Sequence, residues 1–268
     1  MIPVDLHGRI VVVTGGTRGL GRSIGQSFAR AGATVVLTHR WGSVSEGDVH
    51  RAFADVGLPH PEVVESDVSD PGANRELMRS LRGRGPLHAV ISNVAFAKIV
   101  NDIGELKRGS LDLSLAYSAW PVVDLVQAAH EELGTYPSYV VGVSSDGATS
   151  CHPGYDLAGA SKAVLETLCR YLAVRLRHTG TRVNAVRPGL LDTQSSRIML
   201  GDDAFARLNA LSPSPVMDPD LVARACVALT SGLLDGMTGQ VIVVDEGWSL
   251  VDPLAFVTGR APFPREET

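Results

Sequence analysis

Seven short runs of consecutive apolar residues punctuate the chain, and longer stretches with helical spacing separate them. The runs are RIVVVT (9–14), ATVVLT (33–38), PEVVES (61–66), LHAVIS (87–92), SYVVGVSS (138–145), TRVNAV (181–186) and GQVIVVD (239–245). They are rich in β-branched residues and continuously apolar rather than alternating, as expected of strands covered on both faces. Helices are expected over 20–31, 44–56, 72–82, 111–133, 155–178 and 218–231. The stretch after the fourth run is less regular. Residues 189–217 show no dominant period and are expected as an irregular substrate-loop segment. Strands and helices in alternation, joined by right-handed crossovers, build a doubly wound parallel sheet. The expected fold class is therefore α/β, a single-domain Rossmann fold with about seven parallel strands and helices on both faces. No repeat, low-complexity tract or linker divides the chain. The domain is expected to occupy 1–252, followed by a Pro-containing tail over 253–268.

Composition narrows this little. A chain of 268 residues, 44% hydrophobic and 20% charged, is long enough for one large core. The net charge is −5 and no Lys/Arg cluster stands out, so a nucleic-acid partner is not expected. Cys151, Cys169 and Cys226 are odd in number and widely spaced, which suggests free thiols and neither a disulfide framework nor a metal site. The N-terminal stretch enters the first strand without a basic region or cleavage site, and no apolar run approaches the roughly 18 residues of a membrane span. A cytoplasmic protein with no membrane partner is the expectation. The chain carries 21 arginines and 3 lysines, a balance typical of high-GC bacterial genomes, so Lys162 is one of few.

The first turn carries candidate chemistry. VTGGTRGLG (13–21) links the first strand to the first helix. Gly15, Gly19 and Gly21 let the backbone turn tightly and approach a pyrophosphate, and the helix N-terminus beyond them offers N–H groups and a positive dipole end. The second strand ends in LTHR. His39 stands where an acid would bond the 2′-OH of NAD, Arg40 follows, and Arg18 lies in the glycine turn. Two guanidiniums suit a 2′-phosphate, so NADP(H) is expected over NAD(H).

A second centre lies in YDLAGASKAVLE (155–166). Tyr155 precedes Lys162 by seven residues, and Ala158 stands four before it. Seven residues turn a regular helix by about 700°, within about 20° of two full turns, so Tyr155 and Lys162 share one face about 10.5 Å apart along the axis. A four-residue spacing would give about 6 Å. The longer offset has a chemical use. Ketone reduction delivers hydride to the carbon bearing the oxygen. Reduction of an α,β-unsaturated thioester delivers it to Cβ, and negative charge grows on an oxygen three bonds away. A donor for that oxygen stands further from the hydride source.

Other motifs join these two. They are Thr14 before the glycine turn, Asp67-Val68, Ser92-Asn93-Val94-Ala95, Ser144-Ser145, Ser161-Lys162, Pro188-Gly189, Asp192-Thr193 and TGQVIVVDEG (238–247). Together they resemble the short-chain dehydrogenase/reductase family over nearly the whole length. The resemblance implies a nicotinamide cofactor held by Gly15, Thr17, Arg18, Gly19, Leu20, Gly21, His39, Arg40, Asp67, Val68, Asn93, Val94, Lys162, Pro188, Gly189, Leu191 and Thr193. Within that set it puts Asp67 and Val68 near the adenine, Asn93 near the ribose, and Leu191 and Thr193 over the nicotinamide end. It implies Tyr155 as acid or hydrogen-bond donor, Lys162 as the residue that holds the ribose and supports Tyr155, and Ser145 as the group that orients the substrate oxygen. The family position usually filled by asparagine falls on Ser118, after Tyr117.

The Tyr-x6-Lys spacing resembles the enoyl-acyl-carrier-protein reductases and the cyclohexenylcarbonyl-CoA reductases. Three activities remain open: an NADPH-dependent reductase of an enoyl thioester, a carbonyl reductase with a displaced tyrosine, and a non-redox or inactive cofactor-binding protein. For the first, the partner is a small acyl thioester of CoA or of an acyl carrier protein. Lys98, Arg197 and Arg207 are the candidates for carrier contact. The resemblance also implies a homodimer or homotetramer built through helices 111–133 and 155–178.

Overall fold

The computed structural model describes residues 4–40, 45–211, 214–252 and 254. A seven-stranded sheet, parallel throughout, runs in the order β3-β2-β1-β4-β5-β6-β7. Its strands are β1 (Ile10–Val13), β2 (Thr34–His39), β3 (Glu62–Glu65), β4 (Leu87–Ser92), β5 (Tyr139–Val143), β6 (Arg182–Pro188) and β7 (Val241–Val244). The order reverses between β1 and β4. Chain segments diverge there, and a crevice opens at the carboxyl ends of the strands.

Both faces of the sheet are covered, which explains the continuously apolar runs. In β1, Val11 and Val13 face a cluster that contains Ile24 and Phe28 of α1 (Gly19–Arg30), Val49 and Phe53 of α2 (Glu46–Ala54), and Val222 and Cys226 near the C-terminal end. Ile10 and Val12 point the other way, to Leu77 and Met78 of α3 (Pro71–Ser80) and to Leu125 and Ala128. Cys169 and Cys226 are buried free thiols, and Cys151 is an exposed one.

The expected helix over 111–133 is two helices, α4 (Arg108–Ser118) and α5 (Pro121–Leu133). Proline has no N–H and its ring obstructs the carbonyl of the preceding turn, so it starts a helix better than it continues one. The N–H groups of Ala119 and Trp120 both turn back to the Leu115 carbonyl, at 3.1 and 2.9 Å. Next comes α6 (Asp156–Arg175), which begins one residue after the expected start.

The segment 189–217 is more regular than its sequence suggested. It holds α7 (Gln194–Leu200), with the Thr193 hydroxyl accepting from Ser196 N at 3.2 Å, and α8 (Asp202–Asn209). Gly201, at φ +78°, makes the bend between them. Two short helices of changing direction leave no single hydrophobic period. Helix α9 (Pro219–Leu229) follows, capped by Asp218. Except for Leu254, the tail lies outside the described residues. Among those described, no helix is long and apolar enough to cross a membrane.

Candidate active site

The glycine turn after β1 is shaped by close approach. Gly15 and Gly19 have φ of +61° and +52°. A Cβ on Gly21 would lie 2.2 Å from the Gly15 carbonyl oxygen and 2.7 Å from Asn93 Nδ2. Asn93 donates from Nδ2 to the Thr14 carbonyl at 3.0 Å, and its N–H meets Thr14 Oγ1 at 2.9 Å. Val94 N reaches the same hydroxyl at 3.3 Å. So Asn93 and Val94 fasten β4 to the turn, and the amide of Asn93 is spent on that task. Thr17 is buried, Arg18 is exposed and Leu20 packs against the core. Helix α1 takes no side-chain cap from Arg18, whereas α2 and α3 are capped by Ser45 and Asp70. A phosphate fits this uncapped N-terminus and the narrow glycine backbone before it. Thr193 closes the cradle from above, since a Cβ on Gly19 would sit 3.8 Å from the Thr193 side chain.

Arg40, expected near the 2′ position, and Asp67, expected near the adenine, meet each other. Arg40 Nε lies 2.9 Å from Asp67 Oδ2, and its guanidinium also donates to the Tyr117 hydroxyl. Tyr117 donates to Asp67 Oδ2 at 3.1 Å, with the Arg40 guanidinium 4.9 Å from its ring centroid. Burial pushes the Asp67 carboxyl up. The hydroxyl and N–H of Ser69, the Tyr117 hydroxyl and the Arg40 charge outweigh that and hold it below the usual carboxylate range. Val68 is buried beside them, and the Nδ1 atom of His39 is buried with no hydrogen-bond partner among the described residues. Tyr117 therefore sits with Arg40 and Asp67. Its helix position gave no sign of this contact.

At the other end, Pro188 closes β6 and Gly189 N donates to the Val244 carbonyl at 3.0 Å. A Cβ on Gly189 would meet Asp245 Cβ at 2.9 Å. Leu191 is buried and bridges to Met217. The Ser118 hydroxyl takes the Phe96 N–H at 2.8 Å and so holds the loop after β4. Of the proposed carrier contacts, Arg197 pairs with Asp192 at 2.9 Å and stacks on Phe205, while Lys98 faces Ser110 at 3.5 Å.

Tyr155 occupies the N-cap of α6, with φ −98° and ψ 11°, and its carbonyl accepts from Gly159 N at 2.7 Å. Its ring lies on the backbone of Gly147, where a Cβ would come within 2.5 Å of the ring. A Cβ on Gly159 would come equally close to the Gly147 carbonyl. The turn 146–148 is thus pressed against both the ring and the first turn of α6. Burial raises the Tyr155 pKa above its ordinary 10, the hydrogen bond with Ser145 opposes this, and the Asp146 charge adds to it. The phenol stays protonated at neutral pH and can donate. Ala158 is buried.

Lys162 is buried, and its Nζ donates to the Val143 carbonyl at 2.7 Å. Desolvation brings its pKa down to about 8. Tyr155, Ser145 and Lys162 thus converge where β5 ends and α6 begins. An open cavity of about 500 Å³ is lined by the chain neighbours of Tyr155, residues 151–154 and Asp156, on one side and by Val100, Ile103 and Leu106 on the other.

Two carboxylates near this centre escaped the sequence reading. Glu166, buried one turn after Lys162, accepts from Ser144 Oγ at 2.7 Å and from Arg187 Nε and Nη2 at 2.9 and 2.7 Å. Asp146 accepts from Ser145 Oγ at 3.0 Å and pairs with His152 Nε2 at 3.0 Å. Spacing on the face of Lys162 could have drawn attention to Glu166. Adjacency to Ser145 was the available hint for Asp146.

A family model described as Enoyl-(Acyl carrier protein) reductase matches residues 15–249. The 1-cyclohexenylcarbonyl-CoA reductase of Streptomyces collinus is 30% identical over 92% of this chain and 89% of its own length. Enoyl-[acyl-carrier-protein] reductase [NADH] FabI of Rickettsia bellii (strain RML369-C) is 29% identical, covering 92% of this chain and 95% of that one. The crystal structure of a short chain dehydrogenase from Burkholderia cenocepacia J2315 in complex with NADP superposes with a TM-score of 0.78. It is 26% identical over 90% of this chain and 98% of the other.

The buried Glu166–Arg187 pair generates a stability prediction. Glu166→Gln removes the charge and leaves the guanidinium facing a neutral amide, at a cost of roughly 3–5 kcal/mol in urea unfolding. The double variant Glu166→Leu/Arg187→Met recovers most of that loss.

Proposed function

The chain belongs to the short-chain dehydrogenase/reductase family of oxidoreductases, and on that premise we propose that it reduces the C=C bond of an α,β-unsaturated thioester with NADPH. The observation that carries this reading is the position of the phenol. Ala158 is buried and has no hydroxyl, while Tyr155 stands at the rim of α6 with Ser145 beside it. When bound, the nicotinamide would supply a hydride. Tyr155 donates a hydrogen bond to the thioester oxygen, where negative charge grows as the hydride reaches Cβ. Ser145 orients the phenol and the substrate oxygen. Lys162 has its ammonium buried at the end of β5 and holds the cofactor ribose. The acyl group occupies the cavity between residues 100–106 and 151–156, and CoA or an acyl carrier protein presents it.

NADPH is favoured by Arg18 and Arg40 at the ends of the glycine turn and β2, and by the lack of an acid at His39. Arg40 has to leave Asp67 to meet a 2′-phosphate, so part of its binding energy is offset by that exchange. A dimer or tetramer forms through the faces of α4 and α6, where Leu113, Val164, Tyr171 and Val174 are exposed.

A carbonyl reductase is the second reading. It is favoured by Ser145, which keeps the hydroxyl that a ketone oxygen would use. The two readings part in a spectrophotometric screen of NADPH oxidation with enoyl and ketoacyl thioesters.

Three outcomes are expected. Tyr155→Phe lowers kcat on an enoyl thioester by roughly 10²–10³-fold with little change in NADPH affinity, because one transition-state donor is lost. Full activity in that variant, or a wild type that reduces ketones and ignores enoyl thioesters, overturns the first reading. Arg40→Ala weakens NADPH by about tenfold or more and NADH much less, measured by fluorescence titration; equal affinity of the wild type for both cofactors removes the NADPH assignment. Light scattering at micromolar concentration gives the mass of a dimer or tetramer, and a monomer mass counts against the helix interface.

A further inference from the structure

The roles given above leave Asp146 and His152 unused, although they flank Tyr155. Asp146 Oδ1 accepts the Ser145 hydroxyl at 3.0 Å and the Gly147 N–H at 2.9 Å. The same N–H reaches Ser145 Oγ at 3.2 Å. Asp146 Oδ2 faces His152 Nε2 at 3.0 Å. The His152 ring stands edge-on to the Tyr155 ring, with centroids 6.3 Å apart. The Tyr155 ring lies on the backbone of Gly147, whose N–H reaches both Asp146 Oδ1 and Ser145 Oγ. One continuous polar chain therefore runs from the half-exposed imidazole through a carboxylate to the serine, and the Tyr155 ring packs on the turn that carries it.

We propose that Asp146 and His152 form a positioning dyad for Ser145 and Tyr155, and that protonation of His152 sets the charge beside the substrate oxygen. This rests on the reading of Tyr155 as the donor to that oxygen. Asp146 fixes the direction of the Ser145 hydroxyl, because it takes the serine proton. Ser145 Oγ is then held in place beside the Tyr155 ring, and the phenol rather than the serine donates to the substrate oxygen. With His152 protonated, the dyad is neutral. With His152 neutral, a full negative charge stands next to Ser145, and negative charge growing on the substrate oxygen is opposed by it.

The chemistry of the surroundings agrees. The hydrogen bond and charge of Asp146 raise the His152 pKa above its ordinary value, against desolvation. Burial pushes the Asp146 carboxyl up, but the bond to His152 and its charge, with Ser145 and Gly147 N–H, hold it below the usual carboxylate range. Other charged groups around the dyad are few. Arg187 on β6 and Asp245 beyond β7 feel the Asp146 charge, and Arg187 is already paired with Glu166. Asp102 and Asp156 line the cavity that His152 also lines. On α6, Tyr155 has a raised pKa, while Lys162 is brought down to about 8.

The sign follows. His152 is charged below its raised pKa and loses its charge as pH rises through that value, so the favourable neutral dyad exists on the acid side. Lys162 titrates in a neighbouring range, so a pH profile of the wild type alone does not separate the two.

The test combines two measurements on the full chain. Histidine ¹³Cε1 NMR of the cofactor-free protein follows the His152 resonance, assigned by its loss in His152→Gln, in wild type and Asp146→Asn. The pH dependence of kcat/KM is recorded with NADPH and whichever thioester, enoyl or keto, the wild type reduces. The expected His152 pKa lies above 6.5 in the wild type and falls in Asp146→Asn. In the wild type, kcat/KM drops about tenfold across that pKa, the scale of one unit charge at a partly exposed site. His152→Gln and Asp146→Asn abolish that limb and leave the limb of Lys162 near pH 8. An unchanged His152 titration in Asp146→Asn overturns the dyad. A wild-type limb that persists in His152→Gln overturns the charge role. If His152→Gln fails to fold, His152→Asn takes its place for both the assignment and the pH profile. A wild type that reduces only ketones overturns the enoyl reading and leaves the NMR result standing on its own.

Discussion

The carboxylate of Glu166 is the contact on which the reacting centre depends. It is buried inside α6, and it takes hydrogen bonds from Ser144 at the end of β5 and from Arg187 near the end of β6. Three elements that are distant in sequence meet on two oxygen atoms. Ser145 follows Ser144, Lys162 stands one helical turn before Glu166, and Pro188 follows Arg187. A buried ion pair is a poor source of net stability, because desolvation of both charges offsets their attraction. Its value here is geometric. A bidentate guanidinium fork tolerates few orientations, so the ends of β5 and β6 are fixed relative to the helix that carries the phenol and the amine.

Backbone fit completes this arrangement. Gly147 and Gly159 allow the turn after Ser145 to lie against α6 with no side chain between them. Gly15 and Gly21 do the same where α1 leaves the sheet. Both ends of the crevice are therefore shaped by backbone in contact with backbone. Side-chain rotamers then decide only the finer placement of Tyr155, Ser145 and Thr193.

The sheet and the glycine turn were legible in the sequence because their signals are local. Seven apolar runs became seven strands, and the fold class followed from their alternation with helices. Where the reading failed, the determining contact lay elsewhere. Pro121 split one expected helix into α4 and α5, although the apolar spacing continued across it. The short helices α7 and α8 were hidden because each is too brief to establish a period. That Asn93 donates its amide to the Thr14 carbonyl was likewise not visible in the sequence. Arg40 and Asp67 were read as separate cofactor contacts, and only the fold brings them to 2.9 Å. His152 was not singled out. Its partner is six residues away on another segment, a through-space relation that no periodicity encodes.

The Arg40–Asp67–Tyr117 contact has a consequence for how the pocket fills. Arg40, Asp67 and Tyr117 already satisfy one another. On the proposed reading, a 2′-phosphate at Arg40 would take the place of the Asp67 carboxylate. Selectivity between the phosphorylated and unphosphorylated cofactor would then be the difference between that exchange and leaving the Arg40–Asp67 pair intact. Dissolved salt screens the displaced carboxylate as well as the incoming phosphate, so such a preference would depend on ionic strength less steeply than at a solitary arginine.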